Sequence, residues 1–300
     1  MQHAGHSSPP VGRFAPSPTG DLHFGSLLAA VASFLQARSR GGEWLLRVDD
    51  IDPPREVPGS ADRIIRDLQR FGMHPDGTVL YQSQRTHAYE AARDTLLESG
   101  LAFWCGCSRA ELPRSGVYPG TCREGLPHGK APRAVRLRVG REPVVFDDAI
   151  QGPVREDLRE TVGDFVIWRA DGLPAYQLAV VVDDAFQGVS EVVRGGDLLD
   201  STGRQVHLQG SLGLPTPTYA HHPIAVDEDG RKLSKRFRAD PVAALAPAQA
   251  LRAALNFLGQ DCPGQLCLEA TWDWALANWK LARIPRRLQR SLHPLEAGAD

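Results

Sequence analysis

The segment RFAPSPTGDLHFGS, from Arg13 to Ser26, decides the fold class of this chain. It begins inside an apolar stretch, 11–15, that predicts a first β-strand. It ends at the helix-forming run LLAAVASFL, residues 27–35. A strand, a turn rich in proline and glycine, and a helix in this order predict a βα unit. Backbone N–H groups at the start of such a helix can hold phosphate.

A second segment, KLSKR from Lys232 to Arg236, is polar and strongly cationic. Lysines on a loop of this kind stabilise the charge that develops on a transferring phosphate. Each segment alone also has an ordinary interpretation, because proline and glycine turns precede many helices and Lys-Arg runs are usually solvated. Their combination, with the βα unit first and the lysine loop after the last predicted strand, predicts a nucleotide site.

Composition indicates a globular protein with one large domain and appendages, since 42% of the 300 residues are hydrophobic. No apolar run is long enough to span a bilayer, and the first ten residues lack the apolar core of a signal peptide. We therefore expect a cytoplasmic protein with no membrane partner. The net charge of −2 gives no overall attraction to nucleic acid, so RNA binding would need local patches. One candidate patch combines Lys280, Arg283, Arg286, Arg287 and Arg290 with nearby tryptophans, although a cationic surface over a tryptophan core explains it equally well.

Alternating elements predict an α/β fold with a parallel sheet. The second strand is expected at 43–48, and helices are expected at 61–71 and 84–99, each followed by a terminating glycine. From residue 101 to about 174, cysteines, prolines and short alternating runs replace the helices and indicate an insertion. A buried strand is then expected at 176–182, and helices return after residue 240.

Three cysteines and a tyrosine inside the insertion follow the pattern Cys-x-Cys-x10-Tyr-x3-Cys. Cys105, Cys107, Tyr118 and Cys122 offer three thiolates and one oxygen, which could close a tetrahedral structural zinc site. A reducing compartment argues against disulfides, so the alternatives are zinc binding and plain core packing. His128 is a possible substitute for the tyrosine as fourth ligand.

Several segments in the same order resemble the catalytic core of the glutamyl-tRNA synthetases, which are class I aminoacyl-tRNA synthetases. They are RFAPSPTG (13–20), RVDDID (47–52), YQLA (176–179), VRGGDLL (193–199) and the lysine loop. The resemblance covers residues 12 to about 240 and implies a Rossmann-type catalytic domain with structural zinc in the insertion. It also implies ATP as a substrate, accompanied by Mg2+. The implied domains are a flexible tail at 1–11, a catalytic domain at 12–100 and 175–240, a zinc-containing acceptor-type insertion at 101–174, and a helical C-terminal region at 241–300.

The resemblance also implies roles for individual residues. The glutamate pocket would be lined by Arg13, Phe14, Ala15, Pro16, Ser17, Asp49, Tyr176 and Arg194. Two guanidinium groups and one acid suit a substrate with two carboxylates and one ammonium. His23, Gly25 and Lys235 would bind ATP, and His23, Lys232 and Lys235 would be the catalytic residues.

In its short length, its catalytic core and its cysteine pattern, the chain resembles the glutamyl-Q tRNA(Asp) synthetase family. Only residues 241–300 follow the catalytic core here, where glutamyl-tRNA synthetases continue into a large anticodon-binding region. The implied function is ATP-dependent, tRNA-independent activation of L-glutamate and its transfer to the queuosine base at the wobble position of tRNA(Asp). The implied partners are glutamate, ATP and the queuosine-containing anticodon stem-loop, and we expect a monomer. The alternatives are a truncated conventional glutamyl-tRNA synthetase, a non-catalytic tRNA-binding paralogue and a different nucleotidyltransferase.

The chain departs from the family pattern at three positions. Asp49 stands where glutamate is expected, so a bridging water could complete its contact with the substrate ammonium. Ser26 replaces the last histidine of the first motif, and Arg236 replaces a serine in the lysine loop.

Overall fold

The computed structural model describes residues 8–227, 242 and 245–291. The lysine loop, with the predicted catalytic residues Lys232 and Lys235, lies outside the described residues. The described strands are β1 (Val11–Phe14), β2 (Glu43–Val48), β3 (Leu80–Tyr81), β4 (Ala102–Cys105), β5 (Ala134–Leu137), β6 (Val144–Asp148), β7 (Gly152–Glu156), β8 (Phe165–Trp168), β9 (Glu191–Gly195), β10 (Thr218–His222), β11 (Ile224–Val226) and β12 (Gln289–Ser291). The described α-helices are α1 (Phe24–Arg38), α2 (Ser60–Arg70), α3 (Thr86–Glu98), α4 (Leu158–Thr161), α5 (Tyr176–Phe186), α6 (Leu199–Leu212), α7 (Pro247–Phe257) and α8 (Leu268–Asn278).

The predicted α/β architecture is confirmed, because parallel strands form the centre of the molecule. Strands β1, β2 and β3 make one parallel sheet, and a second sheet has the order β7-β6-β10-β9. Strands β9 and β10 are parallel, and the Ser190 amide donates to the Val11 carbonyl at 2.9 Å, which brings the start of β9 beside β1. The order in which the strands are added to the sheet therefore reverses between β1 and β9. In parallel α/β sheets, ligands bind at the carboxyl ends of the strands next to such a reversal.

Helix α1 lies in the core and fixes the position of the turn before it. Leu27, Leu28, Val31 and Leu35 are fully buried because the helix packs on β1 and β9 on one side and on α7 on the other. Burial of apolar side chains all round a helix is typical of a central core element. The start of α1, where phosphate was predicted to bind, is consequently held rigidly.

The prediction of a strand at 176–182 is wrong, because these residues form the first part of helix α5. A short run of apolar residues does not distinguish a buried strand from a buried helix. The two acids at its end, Asp183 and Asp184, are also buried and are paired within the core. Helix α5 packs against α3, α6 and β8, so apolar residues are needed on more than one of its faces.

The region 101–174 contributes to two different sheets. Strands β4, β5 and β8 form a separate antiparallel sheet, whereas the hairpin of β6 and β7 joins the central sheet beside β10. The domain boundaries given above stay a prediction. The helices expected after residue 240 are present as α7 and α8 within the described part of that region. No helix among the described residues has the length and apolar character that a membrane span requires.

Candidate active site

A cleft of about 650 Å3 opens at the carboxyl ends of β1, β2 and β9. The predicted substrate residues that the structure describes all line it: Arg13, Phe14, Ala15, Pro16, Ser17, His23, Gly25, Asp49, Tyr176 and Arg194. They come from four separate parts of the chain. The structure thus brings the predicted residues into one place, while their individual roles remain predictions.

His23 caps the N-terminus of α1 at the edge of the cleft. Its Nδ1 accepts a hydrogen bond from the Ser26 amide at 3.1 Å, so the proton of the neutral imidazole is on Nε2. The Ser26 hydroxyl lies 3.0 Å from Nε2. A Cβ at position 25 would lie 3.2 Å from the His23 ring, so Gly25 leaves the space that this ring occupies. The turn therefore presents an imidazole and a helix N-terminus together, which suits a phosphate group.

Arg13 and Asp49 belong to a buried network of two arginines and two aspartates. Asp184, from α5, accepts from Arg13 Nε at 3.3 Å and from Arg47 Nη1 at 2.6 Å. Arg47 Nε also donates to Asp49 Oδ1 at 2.7 Å. All four side chains are less than a tenth exposed, so pairing is required to offset the cost of burying their charges. Arg13 and Asp49 are therefore held from behind while they line the cleft.

The carboxyl group of Asp49 is unusually basic. Burial raises its pKa to about 6, although the Arg47 guanidinium acts in the opposite direction. The pKa of Asp184 is lowered instead, because Arg13 and Arg47 together outweigh the effect of its burial. Asp49 is thus the carboxyl of the network that changes its charge near neutral pH. A cationic ammonium beside it would favour the ionised form.

Arg194 supplies the second guanidinium of the cleft. Its Nε donates to His221 Nε2 at 2.9 Å, and its Nη2 donates to Thr202 Oγ1 at 2.9 Å. Its Nη1 is buried and has no hydrogen-bond partner in the structure. Burial lowers the pKa of this guanidinium. A buried cationic donor of this kind fits the carboxylate of a bound substrate, which would supply both the missing acceptor and the missing charge.

The three cysteines of the insertion meet in one cluster, with their sulfur atoms within 4.8 Å of one another. The sulfur atoms of Cys107 and Cys122 are 3.6 Å apart, and the Tyr118 hydroxyl lies 3.4 Å from Cys105 Sγ and 3.9 Å from Cys107 Sγ. Burial acts to raise the pKa of Cys105, but its hydrogen bonds with Tyr118 and Arg136 outweigh this effect and lower the pKa to about 7. This cysteine cluster (Cys105, Cys107 and Cys122) could hold a metal ion. His128, the substitute considered from the sequence, is not part of it.

The predicted cationic patch near the C-terminus divides into two parts. Arg286 Nε donates to the Gln151 carbonyl at 2.7 Å, and Arg290 donates to the Asn256 and Phe257 carbonyls. These two arginines therefore attach the C-terminal segment to the rest of the protein. The other three basic side chains of the patch are exposed.

Comparison with known proteins gives the family. The model of the catalytic domain of class I tRNA synthetases (E and Q) matches residues 11–116 and 122–249. The glutamyl-Q tRNA(Asp) synthetase of Aromatoleum aromaticum is 55% identical over 94% of this chain and 93% of its own length. That of Dechloromonas aromatica is 53% identical over 94% of this chain and 97% of its own length. The chain belongs to the glutamyl-Q tRNA(Asp) synthetase family of class I synthetases.

Solved structures agree with this assignment at the level of the fold. A glutamate tRNA ligase from Elizabethkingia meningosepticum superposes with a TM-score of 0.82 at 22% identity, over 95% of this chain and 67% of that one. The resemblance to glutamyl-Q tRNA(Asp) synthetases that the motifs indicated is confirmed. The chain is accordingly a ligase of the aminoacyl-tRNA synthetase type.

In this member of the glutamyl-Q tRNA(Asp) synthetase family, the sequence did not predict the buried polar residues that lie behind the cleft. Asp184 and Thr202 were given no role, nor were Asp148 and His221, whose contact joins β6 to β10. Two acids after the apolar run 178–182 were the available signal, because carboxylates are rarely buried unless they are paired. The signal was lost when this run was interpreted as a strand.

Proposed function

We propose that this protein activates L-glutamate with ATP, without tRNA, and transfers it to the queuosine base at the wobble position of tRNA(Asp). The observation that carries the proposal is the presence in one cleft of two buried guanidinium groups and one buried carboxyl, those of Arg13, Arg194 and Asp49. This set matches the two carboxylates and the ammonium of glutamate. The two relatives compared above are named glutamyl-Q tRNA(Asp) synthetase, which supports the proposal.

In the first step, an oxygen of the glutamate α-carboxylate attacks the α-phosphorus of ATP, and pyrophosphate leaves. The arginines bind and orient the carboxylates, and Asp49 in its ionised form pairs with the ammonium. His23, with a proton on Nε2, and the amides that begin α1 bind phosphate oxygens. The roles of Lys232 and Lys235 in stabilising the transferring phosphate rest on the sequence motif alone. Magnesium would accompany the ATP phosphates and neutralise their charge.

In the second step, the queuosine base attacks the carbonyl carbon of the adenylate and AMP leaves. The adenylate is already activated, so correct placement of the two reactants suffices and no general base is assigned. The anticodon loop must then enter the cleft. Unstacked loop bases are what proteins read in RNA, which favours this partner.

Zinc is the metal proposed for the cysteine cluster, with Tyr118 as the fourth ligand. Three thiols and a phenol form a compact donor set of the type that zinc accepts, and a reduced cytoplasm would keep the thiols available. Zinc would stabilise the insertion there and takes no part in the proposed transfer. The cytoplasmic location and the monomeric state also remain proposals.

The deciding experiment measures transfer of radiolabelled glutamate to purified tRNA(Asp) with and without queuosine, and to tRNA(Glu). Labelling of queuosine-containing tRNA(Asp) alone is the expected result. Labelling of tRNA(Glu) at its 3′ end would indicate a conventional synthetase instead. No labelling of any tRNA, together with no glutamate-dependent pyrophosphate exchange, would indicate a non-catalytic tRNA-binding paralogue.

A further inference from the structure

Behind Arg194 lie two buried side chains, Asp148 and His221, that do not line the cleft but are hydrogen-bonded in series to Arg194. Asp148 at the end of β6 accepts from His221 Nδ1 at 2.5 Å, and His221 on β10 accepts through Nε2 from Arg194 Nε at 2.9 Å. The three residues are 2%, 0% and 3% exposed. They come from three strands that are adjacent in the central sheet. The arrangement therefore joins the cleft to the sheet interior.

Donor and acceptor roles along this chain follow from chemistry. An arginine guanidinium only donates, so His221 Nε2 must carry a lone pair where it faces Arg194. In the neutral imidazole the proton is then on Nδ1, where it is donated to Asp148. Burial lowers the pKa of His221, which keeps the ring neutral. The tautomer that Arg194 requires is thus the one that Asp148 selects.

Asp148 is itself fixed by the backbone. Its Oδ1 accepts from the amides of Ile150, Gln151 and His221 at 3.0, 2.8 and 3.2 Å. These bonds and the bond from His221 hold the pKa of Asp148 below its ordinary value, although burial acts to raise it. The carboxylate therefore stays ionised and cannot rotate without breaking several hydrogen bonds. It is a rigid acceptor for the imidazole.

The result of these contacts is seen in the guanidinium of Arg194. Its Nε is held by His221 and its Nη2 by Thr202, which leaves Nη1 as the donor without a partner. Since Arg194 lines the cleft, a carboxylate bound there can use that donor. We propose that Asp148 and His221 form a positioning pair that fixes Arg194 for a carboxylate of the amino-acid substrate. This inference rests on the proposed activation of glutamate.

The test is Asp148→Asn, assayed by glutamate-dependent pyrophosphate exchange. Asparagine keeps an oxygen for the backbone amides but offers N–H to His221 Nδ1, which forces the imidazole proton to Nε2 and against Arg194 Nε–H. We expect the KM for glutamate to rise about tenfold, with kcat and the KM for ATP changed less than about twofold. Asp147→Asn, an exposed neighbour on β6, is the matched control and should change neither constant.

Replacements of His221 give an independent comparison. His221→Leu removes the acceptor for Arg194 Nε and should raise the glutamate KM as much as Asp148→Asn does. His221→Gln can place an amide oxygen near the former Nε2 and should recover most of the affinity. This pair decides the matter if Asp148→Asn does not fold, because a purely structural role predicts no such recovery.

The outcomes separate the inference from the function on which it rests. Wild-type exchange activity with an unchanged glutamate KM in folded Asp148→Asn and His221→Leu would overturn the positioning role alone. Equal losses in the leucine and glutamine variants would also overturn it. Absence of exchange in the wild-type protein would instead refute the proposed function.

Discussion

In the cleft, Arg13 and Arg194 are held by aspartate, histidine and threonine partners on neighbouring elements, whereas the thiols of the cysteine cluster have mainly one another and Tyr118. The cleft is organised by the protein itself and leaves the buried Nη1 of Arg194 without a protein partner. In the cysteine cluster the three thiols lie close together but make only weak hydrogen bonds with one another and with Tyr118. We therefore expect the geometry of the cysteine cluster to depend on a metal ion, whereas the geometry of the cleft should not depend on one.

The largest effect is expected for Arg194→Ala, which removes the buried donor from the organised region. Loss of a charged partner for a buried carboxylate should lower kcat/KM for glutamate about 100- to 1000-fold. Pyrophosphate exchange at varied glutamate concentration measures it. Arg141→Ala, at an exposed position, is the control and should leave the value unchanged. A loss below about fivefold in a folded variant would contradict the assignment of Arg194 to the substrate.

The pH dependence of activation tests the charge state of the same region. Burial raises the pKa of Asp49 to about 6, so lowering the pH protonates it and removes the charge that is proposed to pair with the ammonium. Between pH 7 and pH 5, kcat/KM for glutamate should fall about tenfold. Asp49→Asn should remove this inflection and lower the value at pH 7. An inflection near pH 6 that persists in Asp49→Asn would assign it to another group.

A smaller effect is expected where the cleft meets the start of α1. Gly25→Ala places a Cβ 3.2 Å from the His23 ring and should displace the ring by a few tenths of an ångström. We expect kcat for exchange to fall about fivefold, because small misplacements of reacting groups are costly. The thermal stability should not fall, since alanine favours a helix over glycine. Gly210→Ala in α6 has open space around it and should leave the rate unchanged.

The smallest effect on activation is expected from the cysteine cluster. Cys122→Ser should reduce bound zinc from one ion per chain towards none and lower the thermal unfolding temperature. The rate of pyrophosphate exchange should change less than about twofold, because none of the three cysteines lines the cleft. Metal analysis, thermal unfolding and exchange on one preparation measure all three quantities, and exposed Cys267→Ser is the control. Equal metal content in Cys122→Ser and Cys267→Ser would show that the cysteine cluster is not the metal-binding site.

The charged residues at the strand ends could be predicted from the sequence, but their supports could not. Arg13 and Asp49 lie in motifs that adjoin recognisable strands, so their convergence at one sheet edge follows from the parallel order. His221 and Asp148 are separated by 73 positions and meet only because β6 joins the sheet beside β10. Local patterns carry no information about that pairing. Helix α5 was mistaken for a strand because its apolar run is too short to show a period.

Helix α1 depends on residues that are made much later during synthesis. Trp279 Nε1 donates to Gln36 at the end of α1 across 243 positions, and Trp272 packs against Phe34 with the ring centres 5.0 Å apart. The apolar surface of α1 is therefore incompletely covered while most of the chain is being translated. Contacts this distant in sequence slow folding, and exposed apolar surface invites aggregation in the meantime. The turn before α1, which is proposed to bind nucleotide, leaves the ribosome early, but it is expected to reach its final support only after α8 and Trp279 have emerged.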